Sequence, residues 1–184
     1  MSGWELPKSA VIGGKTYGLH TDYREILEMF SWLQNEAYPE FIRWHIALAL
    51  FYEEELPDEA LGEAAAYFCW FVGGGRQDNS DPGPKLLDWQ QDAQEIVADV
   101  NKVAGQEIRE LPYLHWWTFL GWFLSIGEGN LSTLVSIRDK LRRGKKLEPW
   151  EQTYYNRNKA RVKMQKNYSA EELAEQERLK ALLG

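Results

Sequence analysis

The sequence is poor in the residues on which metal and thiol chemistry depends. Its 184 residues include one cysteine and three histidines. A single cysteine excludes an internal disulfide framework and a zinc site built from thiolates of this chain alone. Cys69 lies between Phe68 and Trp70 in an apolar stretch. We therefore expect it to be a small buried hydrophobic side chain rather than a nucleophile.

Recognisable metal and phosphate motifs are also absent. His20, His45 and His115 lie far apart without the spacing of a ligand pair, so each is predicted to be a hydrogen-bonded, partly buried imidazole. The stretch Gly14-Lys15-Thr16 lacks the first glycine of a phosphate-binding loop, because Ser9 holds that position. Gly73-Gly74-Gly75 lacks the third glycine of a dinucleotide fingerprint. We expect no metal, no cofactor and no enzyme activity.

No long hydrophobic run is present. The longest, over residues 116–126, is interrupted twice by polar side chains and falls far short of the roughly 20 residues that a membrane-spanning helix needs. The N-terminus, MSGWELPKSAV, has no basic start followed by an apolar run. We expect a soluble cytoplasmic protein with no membrane partner.

Aromatic residues, by contrast, are abundant, with nine Trp, nine Tyr and seven Phe. The densest segment is 111–123, LPYLHWWTFLGWF, in which six of thirteen residues are aromatic. Such a segment forms either part of a core or an interaction hot spot. Because the flanking helices each have an apolar stripe to cover, we predict a central helix buried on all sides. If one side is exposed, Trp122 is the first candidate for a partner contact.

The local patterns predict a mainly α fold: a compact multi-helix domain with a small N-terminal β-hairpin over residues 5–20. Gly13-Gly14 marks the hairpin turn, and Asp22 with Glu25 has the spacing of a helix capping box. Phe41 and His45 fall on the predicted buried stripe of the second helix. The capping box opens a first helix that runs to about Asn35. Further helices are predicted at about 39–55, 57–72, 86–103, 112–126, 131–143, 149–167 and from Ser169 onward. Residues 76–84 are predicted to be the most flexible internal loop.

Charge is distributed unevenly along the chain. Residues 1–137 carry 8 Lys and Arg against 21 Asp and Glu, whereas residues 138–168 carry 11 against 3. We predict an acidic helical body, 1–137, and a basic C-terminal helical arm, 138–184, which either packs on the body or swings from it. The candidate protein-interaction residues are Trp122, Arg142, Arg143, Lys145, Lys146, Tyr154 and Tyr155.

Two kinds of partner compete for this basic arm. Interleaved basic and aromatic side chains are typical of nucleic-acid binders. The acidic body and a pI near 5.1 would repel a polyanion, however. We therefore favour self-association or an acidic protein partner over nucleic acid.

The aromatic segment also carries a family resemblance. Residues 112–117, PYLHWW, are preceded by Asp88-Trp89 and Asp92-Ala93 and followed by Arg138 and Tyr154-Tyr155. With these flanks the sequence resembles the bacteriophage gene-product-fifteen family. The likeness extends over nearly the whole chain and is strongest from 86 to 159.

The resemblance implies a protein of phage tail morphogenesis. Its implied role is a tail assembly chaperone that binds the tape measure protein before the tail tube polymerises and is absent from the finished virion. The major tail tube protein is a further candidate partner. A structural tail component that stays in the virion and a nucleic-acid-binding accessory protein are the alternatives. The resemblance supplies no catalytic residues.

Overall fold

The computed structural model describes residues 4–76, 83–165 and Arg178. These residues form a mainly α protein with one hairpin, as predicted. Along the chain the elements are β1 (Ser9–Ile12), β2 (Lys15–Gly18), α1 (Tyr23–Leu33), α2 (Glu40–Phe51), α3 (Leu61–Val72), α4 (Ala93–Ala104), α5 (Trp116–Leu124), α6 (Asn130–Arg142), α7 (Pro149–Arg157) and α8 (Lys159–Val162). Single 3-10 turns occur at Asp58–Ala60 and Ile108–Glu110.

The described residues divide into two compact units. The first contains 4–76 together with Leu114–Trp117, and the second contains 83–113 together with 118–165. Helix α5 therefore begins in the first unit and continues in the second. Residues 138–165 of the predicted basic arm belong to the second unit. The predicted helix from Ser169 and most of the predicted loop 76–84 lie outside the described residues.

The first unit is built on the predicted hairpin. Strands β1 and β2 pair antiparallel, with Ile12 opposite Lys15. Gly13 and Gly14 have φ of 56° and 79°, the left-handed conformation that a two-residue turn of this kind requires. Alternate side chains of the hairpin, those of Ala10, Ile12 and Tyr17, are buried.

Helices α1, α2 and α3 complete this unit. The Asp22 carboxylate accepts a hydrogen bond from the Arg24 amide, and the Asp22 amide donates to the Glu25 carboxylate, which confirms the predicted capping box. Helix α1 packs on α2, and α2 packs on α3. Between α2 and α3 the Phe51 ring centroid lies about 5 Å from those of Phe68 and Phe71, edge-on to the first and tilted to the second.

The second unit contains α4, α6, α7 and α8. Helices α7 and α8 contact each other, and α6 contacts both α4 and α8. A small core forms from Leu134, Ile137, Leu147 and Val162, and Tyr154 and Tyr155 pack against it, partly buried. The carboxylate of Asp99, on α4, accepts a hydrogen bond from the Leu131 amide at 2.9 Å and so caps the N-terminus of α6.

Several predicted helix limits are wrong: α2 ends at Phe51 rather than 55, and α3 begins at Leu61 rather than 57. Hydrogen bonds explain three further differences. Helix α4 begins at Ala93 rather than 86, because the Asp88 carboxylate accepts from the amides of Gln90 and Gln91 and forms a separate turn. Helix α5 begins at Trp116 rather than 112, because the preceding residues hydrogen-bond elsewhere in the first unit. The predicted helix 149–167 breaks at Asn158, whose side-chain amide donates to the Tyr154 carbonyl.

Candidate functional site

The start of the aromatic segment is pinned to the first unit by backbone hydrogen bonds. The Tyr23 amide donates to the Leu114 carbonyl at 2.9 Å, and the Trp116 amide donates to the Thr21 carbonyl at 2.7 Å. The Asp22 carboxylate also accepts from the Leu114 amide, so this one side chain holds both α1 and the segment. These bonds use the amides that would otherwise begin a helix at Pro112.

Two indoles of the segment bind the end of α3. Trp116 donates from Nε1 to the Val72 carbonyl at 3.0 Å, and Trp117 donates to the Phe71 carbonyl at 2.8 Å. The last carbonyls of a helix lack partners within it, so these bonds help to fix the end of α3. The Phe71 carbonyl also accepts from the Gly74 amide. Gly75 has φ 77°, and a Cβ there would lie 2.8 Å from the Trp117 ring. Glycine is therefore required at this position for both conformation and space.

Both ring nitrogens of His115, within this segment, make hydrogen bonds. Its Nε2 lies 2.9 Å from the Pro7 carbonyl, and its Nδ1 accepts from the Trp117 amide at 3.0 Å, so the hydrogen bonds assign the proton to Nε2. Burial lowers the pKa of this imidazole, which favours the neutral form. The predicted burial is confirmed for His115 and wrong for His20 and His45, which are exposed.

The prediction that the aromatic helix is buried on all sides is wrong. Leu124 is 61% exposed and Tyr113 is 47% exposed, whereas Trp116 and Phe119 are buried. Trp122 is half-buried. Helix α5 therefore contributes Trp116 and Phe119 to the core and presents a surface at its end, and that surface lies at Leu124 more than at Trp122.

Two residues that carry the family resemblance, Asp92 and Arg138, form a buried ion pair. The Arg138 guanidinium donates to both oxygens of Asp92, at 2.6 and 2.8 Å, and both side chains are at least 97% buried. Arg138 also donates to the carbonyls of Leu86, Arg161 and Val162. One side chain thus joins α4, α6 and α8, elements far apart in sequence.

The predicted cations lie at the turn between α6 and α7. Arg142 and Arg143 both pair with Asp139, and these pairs lower the pKa of that carboxyl. Lys145 and Lys146 are exposed. Trp150, which sequence reasoning missed, is 58% exposed at the start of α7. We call Arg142, Arg143, Lys145, Lys146 and Trp150 the basic turn.

The predicted tyrosines do not belong to the exposed part of the basic turn. Tyr154 and Tyr155 are partly buried against the small core of the second unit, and the Lys159 ammonium lies 5.9 Å from the Tyr155 ring centroid. The Lys140 ammonium binds both oxygens of the buried Glu151, which lowers the pKa of that carboxyl. Much of the basic charge in this part of the chain is therefore engaged within the unit.

An apolar groove between α2 and α3 is a second feature that sequence reasoning missed. Its volume is about 510 Å³. Its walls include Phe41, Trp44 and Leu48 from α2, and Leu61, Gly62 and Ala65 from α3. Phe41 was predicted to be buried but is 70% exposed, because it lies at the edge of this groove. We call it the α2–α3 groove.

The groove adjoins an acidic pocket of about 290 Å³ at the end of α2. The two share His45, Leu48 and Leu61, and the pocket adds the carboxylates of Glu53, Glu54, Glu55 and Asp58. Glu54 accepts a hydrogen bond from the Gly18 amide. The apolar α2–α3 groove therefore has negative charge at one end.

Cys69, which was predicted to be buried, is exposed on α3. Partial desolvation raises the pKa of its thiol. Across residues 4–76 and 83–165 no group of three or more His, Cys, Asp and Glu side chains is arranged to hold a metal ion. The helices that the structure describes include none with the length and apolar character needed to cross a membrane.

Comparison with known proteins gives one match. The family model described as Bacteriophage Gp15 protein matches residues 5–169. No curated protein and no solved structure matches the chain. The matched range includes the aromatic segment, the Asp92–Arg138 pair and the basic turn.

Proposed function

The chain belongs to the bacteriophage Gp15 protein family, and on that premise we propose that it is a non-catalytic tail assembly chaperone in the cytoplasm of the bacterial host. In this role it binds the tape measure protein before the tail tube polymerises, with the tube protein as a further partner. The family match over residues 5–169 is the observation that carries the proposal.

The surface of the protein supports such a role. A chaperone for a long helical client needs exposed apolar side chains that can cover the client's own apolar face. Phe41, Leu124 and Trp150 are each more than half exposed. We assign the client contact to the exposed side of α5 around Leu124, next to the half-buried Trp122, since this surface continues the aromatic segment that identifies the family.

Co-expression with the tape measure protein of the same phage tests the proposal. We expect the tape measure protein to be soluble with the chaperone and insoluble without it. Leu124→Ser should reduce the soluble fraction, whereas Val11→Ser, which removes a similarly exposed aliphatic side chain from the hairpin, should not. A tape measure protein equally insoluble in both cases would contradict the chaperone role.

The second candidate is a structural tail component. The two roles differ in what a purified phage particle contains, because a chaperone leaves and a structural protein stays. We expect mass spectrometry of purified particles to find the tape measure protein without this chain. Stoichiometric retention of the chain in the particles would favour the structural role instead.

The arrangement of the basic turn favours a protein partner over nucleic acid. Arg142 and Arg143 already bind Asp139, and Tyr154 and Tyr155 are partly buried, so the turn lacks a row of free aromatic faces for base stacking. We expect no retardation of DNA or RNA in an electrophoretic assay. Retardation that charge reversal at Lys145 and Lys146 abolishes would revive the nucleic-acid alternative.

A further inference from the structure

The α2–α3 groove is an apolar surface that this unit leaves uncovered. Phe41, which lines the groove, is exposed, and Trp44, which also lines it, makes an edge-on contact with the buried Phe68 at 6.1 Å between centroids. Gly62 lies in its wall, and a Cβ built there would meet nothing within 4 Å. An aromatic side chain from outside therefore has both apolar contact surface and space in the groove.

Negative charge at one end of the groove limits what can bind there. Glu53, Glu54, Glu55 and Asp58 are all exposed, and the carboxylates of Glu55 and Asp58 take part in no hydrogen bond or ion pair that the structure shows. A ligand that inserts an aromatic ring into the groove and carries cations beside it would match both parts. An acidic ligand would be repelled.

The basic turn of this same chain has the matching chemistry. Trp150 is exposed, and residues 141–150 carry four cations against the single carboxylate of Glu148. The turn is also held in shape: Gly144 has φ 64°, the Lys145 amide donates to the Lys140 carbonyl at 2.8 Å, and Leu147 is anchored in the core of its unit. A preformed ligand loses little conformational entropy on binding.

We infer that the α2–α3 groove of one copy of this chain binds the basic turn of a second copy. Trp150 enters the apolar part, and the cations of the turn lie against the acidic pocket. The two surfaces differ, so the contact is heterologous, and each copy keeps one groove or one turn free for a further copy. The contact goes beyond the proposed function because it requires no client.

Sedimentation velocity on the full chain without client tests this contact. We expect association that increases with protein concentration and weakens between low and high salt, since exposed charges are screened. Gly62→Trp places an indole in the groove and should leave the chain monomeric. Gly62→Ala is the matched control: it occupies the same open position with one methyl group and should associate as the wild type does.

A mixing experiment tests which surfaces meet. Gly62→Trp keeps an intact basic turn, and Trp150→Ala keeps an intact groove, so neither variant should associate alone. Their mixture should form one-to-one dimers and nothing larger, because the remaining groove is blocked and the remaining turn lacks its indole. Both substitutions are at exposed positions, and circular dichroism should show unchanged helix content.

Charge variants test the acidic end of the groove. Glu55→Lys should weaken association at least about tenfold, as should Lys145→Glu, because each places like charges against each other. Glu36→Lys, at an exposed position outside both pockets, should leave association unchanged. Equal effects of Glu55→Lys and Glu36→Lys would overturn the assignment of the acidic pocket.

Several results would overturn the inference as a whole. These are a wild-type chain that stays monomeric at all concentrations, a Gly62→Trp variant that associates normally, and a mixture that forms no dimer. If Gly62→Trp leaves self-association intact but fails to solubilise the tape measure protein, the groove binds the client instead. Self-association is measured without client, so a chain that does not self-associate would leave the chaperone proposal intact. A tape measure protein that stays insoluble in co-expression would likewise leave the inferred contact between copies intact.

Discussion

Replacing Arg138 by methionine should destabilise the second unit strongly. The side chain is 3% exposed and donates to the Asp92 carboxylate and to three carbonyls. Methionine preserves much of the apolar volume but none of these donors. The Asp92 carboxylate, 2% exposed in the wild-type chain, would keep the Asp88 amide as its one remaining partner among those that the structure shows.

The structure sets the expected magnitude. Removing one partner of a buried ion pair costs about 3–5 kcal/mol, because the other charge stays buried without compensation. The carbonyls of Leu86 and Arg161 are partly exposed and can bind water, so they add little. We expect a loss of about 4 kcal/mol, which lowers the urea midpoint by about 2 M for a urea dependence of about 2 kcal/mol/M.

The assay is urea unfolding monitored by circular dichroism, with hydrogen exchange to localise the effect. Exchange protection should fall in peptides from α4, α6 and α8 and change little in α1 to α3. Arg142→Met is the matched control: its pair with Asp139 is exposed and should contribute less than about 1 kcal/mol. The double variant Asp92→Asn/Arg138→Met should cost less than the sum of the two single variants.

A small effect would refute this reasoning. If Arg138→Met lowered the free energy of unfolding by less than about 1 kcal/mol, the ion pair would not hold the elements together. The same conclusion would follow if Arg138→Met and Arg142→Met had equal effects.

Three further predictions concern single sites. Burial lowers the pKa of His115, so as the pH falls below about 6.5 the unfolded chain binds a proton at this residue before the folded chain does. The free energy of unfolding should therefore decrease as the pH falls. His115→Gln should flatten the dependence of Tm on pH. A Cβ at Gly129 would lie 2.6 Å from the buried Asp99 carboxylate, so Gly129→Ala should lower the free energy of unfolding, measured in urea, by about 1–3 kcal/mol. A Cβ at Gly127 would lie in open space, so Gly127→Ala should change that free energy by less than about 0.5 kcal/mol. Cys69 is exposed and its thiol pKa is raised, so at neutral pH its reaction with a thiol reagent in the native protein should be slow but should go to completion. A thiol that reacts only after denaturant is added would contradict its exposure.

Much of the local structure followed from short stretches of sequence. The Gly13-Gly14 turn, the capping box of Asp22 and Glu25, and the helix ends before Gly105 and Gly144 depend on neighbours within a few residues. Their physical causes are therefore present in the sequence itself. The positions of Arg142, Arg143, Lys145 and Lys146 in one cationic turn are likewise adjacent along the chain.

Other features depend on residues that are distant in sequence. The backbone bonds from Thr21 and Tyr23 to the aromatic segment delay the start of α5, which the apolar pattern alone could not indicate. The α2–α3 groove depends on how two separate helices pack, so Phe41 was predicted to be buried although it lies at the groove's edge.

The sequence by itself determined the helical class, the hairpin, the charge division and the family to which the chain belongs. Tertiary structure decided which side chains are available to a partner. It engaged Arg138 with Asp92, 46 residues away, and left Trp150 and the groove at the surface. The physical reason is that burial and pairing are set by contacts between distant segments, whereas turns, caps and helical periodicity are set by neighbours.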